Sequence, residues 1–341
     1  MSRLHHIHPV SLIDVAQAAG VSTQTVSRVA NGSPAVKENT RVKVQHVMDA
    51  LGYHPNSAAR MLKRGSFRTI GVILFNFDSV GNINLLKGIS AAAKKSGYAI
   101  TLLIADDKND KSLELAINHI QNLAIDGVIV VAGTHLQNIN SYVPPQNLPL
   151  VLITEGPVTY CHTIDNDQYG CAAEATEYLL SLGHKTVYHV CGPINSITAD
   201  GRERGWRETL LKHKIQPPQV LVGDWTADSG YANGCALASY PTCTAVFAAN
   251  DQTANGIIAG LESCNKKVPK DVSVVGVDDS LKGIIPHLDI TTMRIDFDEL
   301  GRQSFTLILD ILAGNGPDVN TKIVLPAKLI KRKTADRPQT A

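Results

Sequence analysis

Apolar and polar positions follow two different patterns along the chain. Through about residue 53 the apolar residues recur at helical spacing within short segments. From Thr69 onward, continuous apolar runs alternate with amphipathic stretches. In the first region Ser11 is placed to cap a helix over Leu12–Ala19, and Gly20 permits the positive φ of a tight turn. Ser22 is placed to cap a second helix ending near Ala30, which Asn31-Gly32 stops. A small residue at Ala16, a turn glycine at Gly20 and an aliphatic at Val26 match a helix-turn-helix, in which the first lets two helices cross closely and the last locks them. A third helix is predicted over about Glu38–Leu51. Val42, Val44, Val47, Met48 and Leu51 form its inward stripe, and Gly52 ends it.

The second region reads TIGVILF, LLKGISAAAKKSG, YAITLLIAD, LELAINHIQNLA, DGVIVVAG and PLVLITEG, then KTVYHVCG, GWRETLLKHK, QVLVGDW, TAVFAAND, GIIAGLESC and VSVVGVDD. Strand and helix alternate as in parallel α/β structure, and the two series imply two doubly wound lobes. The predicted fold class is therefore α/β: an N-terminal all-α helix-turn-helix head plus two parallel-sheet lobes. Sheets of this kind bind ligands beyond the carboxyl ends of their strands, which directs attention to residues there.

At 341 residues the chain exceeds one core's usual size, and 44% hydrophobic with 18% charged residues is the composition of a folded, water-soluble protein. No apolar run reaches the roughly 20 residues of a membrane helix, and MSRLHHIHPV lacks the apolar segment of a signal peptide. A cytoplasmic protein without membrane contact is expected. The six cysteines, Cys161, Cys171, Cys191, Cys235, Cys243 and Cys264, form no C-x-x-C and are expected as reduced core thiols.

The formal charge of +1 hides an asymmetry. Residues 1–64 carry eight Lys/Arg against three acids, and the remainder 24 against 28. A basic head on an acidic body suits a polyanionic partner for the head, although an ordinary solvated basic surface has the same composition. The second helix separates the two readings. With Val21, Val26 and Val29 turned inward, Thr23, Gln24, Thr25, Ser27 and Arg28 are left outward, with Ser22 and Asn31 at the ends. Short polar side chains propagate helices poorly and make an unusual solvated face. In a major groove, Gln pairs with adenine, Arg with guanine and the Thr methyl touches thymine. Double-stranded DNA is the expected partner.

The run SLIDVAQAAGVSTQTVSRVANG followed by LGYHPNSAARML resembles the DNA-binding head of the lactose/galactose repressor (LacI/GalR) family, and the likeness continues through GVDDS to LIKRKT. It spans nearly the whole chain, and GDWTADSG, ANDQTANG and DVSVVGVDD are most similar to the lactose-responsive branch. The resemblance implies that Thr23, Gln24 and Arg28 read bases and that 56–64 becomes a hinge helix on operator DNA. Asn56, Ala59 and Leu62 would contact the duplex, Leu62 as an apolar wedge in the minor groove. A helix that short is marginal alone, so it is expected to order only on DNA.

The implied organisation is a head at 1–54, a hinge at 55–66, a periplasmic-binding-protein-like core at 67–334 and a tail at 335–341. Lobe 1 would take about 67–164 and 294–324, and lobe 2 about 165–293 and 325–334, with a ligand cleft between them. Of the ligand residues implied, Arg202 and Trp225 match the family's sugar-binding arginine and stacking tryptophan, while Asn250 and Asp278 end strands. Each also has an ordinary structural reading, as a surface charge, helix caps or core. On the other wall the chain departs from the lactose pattern at Phe75, Phe77, Ser79, Val131, Thr154 and Glu155, which implies a reshaped pocket.

The expected function is a transcriptional repressor whose operator affinity falls when a sugar inducer, first a galactoside, binds between the lobes. The alternatives are a purine-type corepressed regulator of the same family and, further off, a stand-alone sugar-binding protein. A two-fold homodimer reading a pseudo-palindromic site is expected. No apolar heptads follow LIKRKT, so a dimer is favoured over a tetramer. Neither G-x-S-x-G nor a P-loop occurs, and no enzyme activity, cofactor or metal is expected. His5, His6 and His8 read as incidental, and Asp278-Asp279 as the start of a helix.

Overall fold

The computed structural model describes residues 10–53, 65–75, 77, 79–106, 111–136, 139–156, 158–286, 289–317 and 320–339. They fall into two compact units, Met1–Phe67 and Arg68–Ala341.

The first unit contains α1 (Leu12–Ala19), α2 (Thr23–Ala30) and α3 (Glu38–Leu51). Ser11 and Asp14 form a capping box at the start of α1. The Asp14 carboxylate accepts from the Ser11 main-chain N–H at 2.7 Å, and this bond holds its pKa below the usual carboxylate range. Gly20 takes φ 61° and turns the chain. Ser22 then caps α2, its hydroxyl accepting from Thr25 N–H at 3.2 Å. The core is Val15, Ala16, Ala19, Val26, Val29, Val44, Met48 and Tyr53, with Val21 and Val47 packed at its edge. The predicted α3 stripe was too wide, because Val42 is 60% and Leu51 38% exposed. Helical periodicity explains Val42, which lies about 200° round the axis from Val44, whereas Leu51 shares the face of Val44 but is the last residue of the helix.

The second unit has two six-stranded sheets. The first comprises β1 (Thr69–Leu74), β2 (Ala99–Ile104), β3 (Gly127–Val131), β4 (Leu150–Ile153), β5 (His162–Asn166) and β11 (Lys322–Leu325), ordered β11-β5-β4-β3-β1-β2. All its pairings are parallel. α4 (Val80–Lys95) and α10 (Phe297–Leu312) pack on one face and α5 (Ser112–Gln121) on the other. The second sheet comprises β6 (Tyr188–Cys191), β7 (Leu221–Val222), β8 (Ala245–Ala248), β9 (Ser273–Val277), β10 (Thr291–Arg294) and β12 (Lys328–Ile330), ordered β12-β10-β9-β8-β6-β7. Only β12 runs antiparallel to its neighbour. α6 (Gln168–Ser181) and α7 (Ile197–Lys212) cover one face, and α8 (Ala227–Ala238) and α9 (Asp251–Ser263) lie on the other.

Central strands such as β3, GVIVV, are buried at every position, as covered parallel strands must be, while the edge strand β2 exposes Leu102 and Ile104. The chain passes between the sheets after β5, after β10 and after β11, so the two lobes share three connections.

Three expectations need correction. Cys264 is exposed and Cys235 half-buried, so only four of the cysteines are core thiols. Among the described residues between β9 and β10 there is no helix. Asp279 is instead held by Arg294 and Arg332, each at 2.6 Å. The segment read as a tail is packed through Asp336: Ala335 is buried, and the Asp336 main chain bonds Ser273 and His184.

Candidate functional site

In the first unit the polar face of α2 is built by its buried one. Val26 and Val29 point into the core, which leaves Thr23, Gln24 and Arg28 exposed on the opposite side. Thr23, Gln24 and Arg28 form no side-chain hydrogen bond or ion pair among the described residues. Thr25 and Ser27 are half-buried and engaged locally. The Thr25 hydroxyl lies 2.9 Å from that of Ser22, and the Asn31 amide folds back onto the Ser27 carbonyl at 2.7 Å. The face therefore has three free side chains, with Ser22, Thr25, Ser27 and Asn31 holding the helix ends. Asn56, Ala59 and Leu62 lie outside the described residues.

In the second unit a cavity of about 460 Å³ lies between the lobes. All eight candidate ligand residues, Phe75, Ser79, Thr154, Glu155, Arg202, Trp225, Asn250 and Asp278, line it. From lobe 2, α7 begins at Ile197, well before the predicted GWRETLLKHK segment, which puts Arg202 inside the helix on its buried face. Arg204, two residues on and about 200° round, faces out. Each nitrogen of the Arg202 guanidinium donates once: Nε to Gln168 Oε1 at 2.8 Å, Nη1 to the Ala249 carbonyl and Nη2 to Asp278 Oδ1 at 3.4 Å. Burial pushes the Asp278 carboxyl up, and Arg202 pulls it back down.

Trp225 sits at φ 73°, and Arg202 stacks on its ring, 5.6 Å from the centroid. Two contacts fix the indole. The Asn250 amide donates to the Trp225 carbonyl at 3.1 Å, and Gly192 lies against the ring so closely that a Cβ there would fall 2.5 Å from it. Asn250 also caps α9, its Oδ1 accepting from Thr253 N–H at 2.8 Å. The ordinary cap reading and the site reading are thus both satisfied by one side chain.

Lobe 1 supplies the other wall. Phe75 is buried and Ser79 begins α4, while the Thr154 hydroxyl accepts from Gly156 N–H at 3.2 Å. Glu155 crosses to lobe 2. Its Oε1 accepts from Arg204 at 2.9 Å, and its carboxylate packs against Gly201 of α7, where a Cβ would collide with it. Its Oε2 is buried without a hydrogen-bond partner, and burial pushes the carboxyl pKa up despite Arg204 and Lys322. Nearby, Thr134 and Ser196 form an antiparallel bridge between the lobes. It is flanked by His135 N–H on the Asn195 carbonyl at 2.8 Å and Ile197 N–H on that of Gly133 at 3.1 Å. His135 Nε2 lies 2.6 Å from the Asp200 carboxylate. These contacts join the two lobes beside the cavity.

Sequence reasoning missed Asp165, the penultimate residue of β5, which lines the cavity. The rule that selected Asn250 and Asp278 at strand ends applies to it equally. Burial, with the negative charge of Glu155, pushes its carboxyl pKa up to about 7. The fold therefore favours the protonated form, and stability is lost as pH rises from the unfolded value near 4 through about 7. Asp165→Asn should raise the unfolding midpoint at pH 8 by several degrees, on the order of 2–4 kcal/mol, and change it little at pH 4.5. Thermal scans of both proteins across this range measure the difference, and an equal shift at both pH values would contradict the assignment.

Known proteins share both halves of the chain. Residues 11–56 match the family model described as bacterial regulatory proteins, lacI family, and residues 176–335 match a periplasmic binding protein-like domain. The lactose operon repressor of Escherichia coli (strain K12) is 30% identical over 334 residues, covering 97% of this chain and 92% of that protein. A lac repressor dimer solved bound to operator and the anti-inducer ONPF superposes with a TM-score of 0.82 at 29% identity, covering 96% of this chain and 100% of the other. The transcriptional regulator CelR in complex with cellobiose superposes with a TM-score of 0.69 at 26% identity, covering 95% and 99%.

Proposed function

The chain belongs to the lacI family of bacterial regulatory proteins, and from that premise we propose that it is a repressor that binds operator DNA as a homodimer and releases it when a saccharide occupies the interlobe cavity. The observation that carries this reading is the α2 face, where Thr23, Gln24 and Arg28 stand exposed and unengaged on a helix whose other side is core. A helix presented in this way offers hydrogen-bonding groups for base edges in the major groove. Thr25 and Ser27, held by local bonds, set the helix end and reach phosphate or a base methyl rather than a full base edge.

The ligand half rests on the cavity. Trp225 offers an apolar face for the C–H side of a sugar ring. Asp278, Asn250, Thr154 and Glu155 line the same cavity and carry groups for hydroxyls. The cellobiose carried by one solved relative and the operator-bound dimer of another support saccharide, DNA and two-fold assembly together. Galactosides are the first sugars to test. Because the lobes meet through the Thr134–Ser196 bridge and the Glu155–Arg204 pair, a ligand in the cavity bears directly on how the lobes sit. A ligand that prefers one lobe arrangement shifts the equilibrium by its differential affinity, and residues 55–66 are proposed to carry that change to the heads. A repressor acting on operator DNA would work in the cytoplasm.

Selection of bound duplexes from a random DNA pool by the full chain tests the DNA half. Enrichment of a pseudo-palindrome is expected. Recovery of unenriched sequence at moderate salt would contradict it.

A further inference from the structure

The charge lining the cavity is lopsided. Arg202, Glu155, Asp165 and Asp278 are its charged side chains among the described residues. The one cation, Arg202, is already committed to Asp278, Gln168 and the Ala249 carbonyl. On the facing wall Glu155 and Asp165 carry no matching charge inside the cavity. Arg204 reaches Glu155 from the exposed side, and the Lys322 ammonium is bonded to the Glu155 main-chain carbonyl rather than its carboxylate. Asp165 takes a main-chain hydrogen bond from Asn166 and forms no salt bridge among the described residues. Glu155 Oε2 is buried against Gly201 without a hydrogen-bond partner, while the rest of its side chain lines the cavity. The groups facing this pair are Lys322, Arg204, Arg202 and Asp167.

We propose that the cavity takes an uncharged saccharide and rejects its phosphorylated and acidic counterparts, with Glu155 and Asp165 making that choice. The inference rests on reading the cavity as the effector site and adds the ligand's charge class to it. A carboxylate accepts hydrogen bonds and donates none, so a sugar hydroxyl meets this wall with its hydrogen and gains a strong bond. A phosphate or uronate brings a second acceptor and a like charge into a poorly solvated space, which is discrimination by repulsion. One feature opposes this. The start of α4 at Ser79 has no side-chain cap and offers main-chain N–H groups, equivalent to about half a positive charge. The Glu155 carboxylate opposes it, and above about pH 7 ionised Asp165 adds a second negative charge.

The test is isothermal titration of the full chain with common hexoses, their methyl glycosides and disaccharides, alongside glucose 6-phosphate, galactose 6-phosphate, glucuronic acid and galacturonic acid, at pH 6 and pH 8. A neutral sugar is expected to bind at least about tenfold more tightly than its anionic counterparts. The gap widens at pH 8, where Asp165 loses its proton. In Asp165→Asn, which preserves shape, and in Glu155→Gln the anion gains several-fold on the neutral sugar; cooperative unfolding reports that each variant is folded. An anion binding as tightly as its neutral partner, or a gap indifferent to both substitutions, overturns the inference while leaving a sugar-type cavity intact. Failure of every compound to bind removes the effector reading and this inference with it.

Discussion

Arg202→Ala is expected to abolish the saccharide response and, in the same step, to lower the stability of the two-lobed unit. The second effect follows from the partners it leaves behind. Arg202 is 4% exposed and is the cation on the buried Asp278, so alanine strands a carboxylate in a site that already resists ionisation. Breaking a buried pair from one side costs roughly 3–5 kcal/mol. The unfolding midpoint should fall by about ten degrees and show no upward shift with any sugar that stabilises the parent. Arg202→Ala with Asp278→Asn separates the two effects. Removing both charges should restore most of the midpoint and none of the sugar response. A single variant that keeps its saccharide-dependent shift would remove Arg202 from the ligand site. Binding of a selected duplex reports whether each variant still carries a working head.

Gln24→Ala is expected to act on DNA alone. Gln24 makes no side-chain hydrogen bond or ion pair among the described residues, and its exposure on α2 means its loss leaves the Val15–Val26–Met48 core intact. Losing one good base contact costs about 1–3 kcal/mol per half-site, so specific affinity should drop by at least tenfold while affinity for random duplex holds. Arg28→Ala should weaken both and flatten the salt dependence, because a cation near the duplex contributes through phosphate as well as bases. Equal losses on specific and random DNA for Gln24→Ala would show that α2 does not read sequence.

The helix-turn-helix could be read residue by residue in the sequence because its constraints are local. Capping by Ser11 and Ser22, the positive φ at Gly20 and the inward Val26 each depend on near neighbours, and each appears in the structure. The alternation of strand and helix was equally legible. What the sequence hid depends on contacts between distant segments. Arg202 and Arg204 are distinguished only once α7 starts at Ile197, because that start decides which of the two faces the cavity. Asp279 resembled a helix start until Arg294 and Arg332, from two other segments, claimed it. Asp165 gave little signal because its strand, HTIDN, is short and polar and lacks the apolar run that marks a strand such as β3. Gly192 and Gly201 carry no sequence signal, yet their missing side chains let Trp225 and Glu155 take their places.

The central claim is that occupancy of the cavity and occupancy of the operator compete through one protein. Its most direct measurement is the affinity for a selected duplex, at fixed ionic strength, with and without a sugar that raises the unfolding midpoint, together with the reciprocal titration of sugar against the DNA complex. The account predicts operator binding weakened by about tenfold or more, and sugar binding weakened by DNA by the same factor, since coupling between two sites is mutual. Operator affinity that stays unchanged, or rises, with the cavity filled would contradict it.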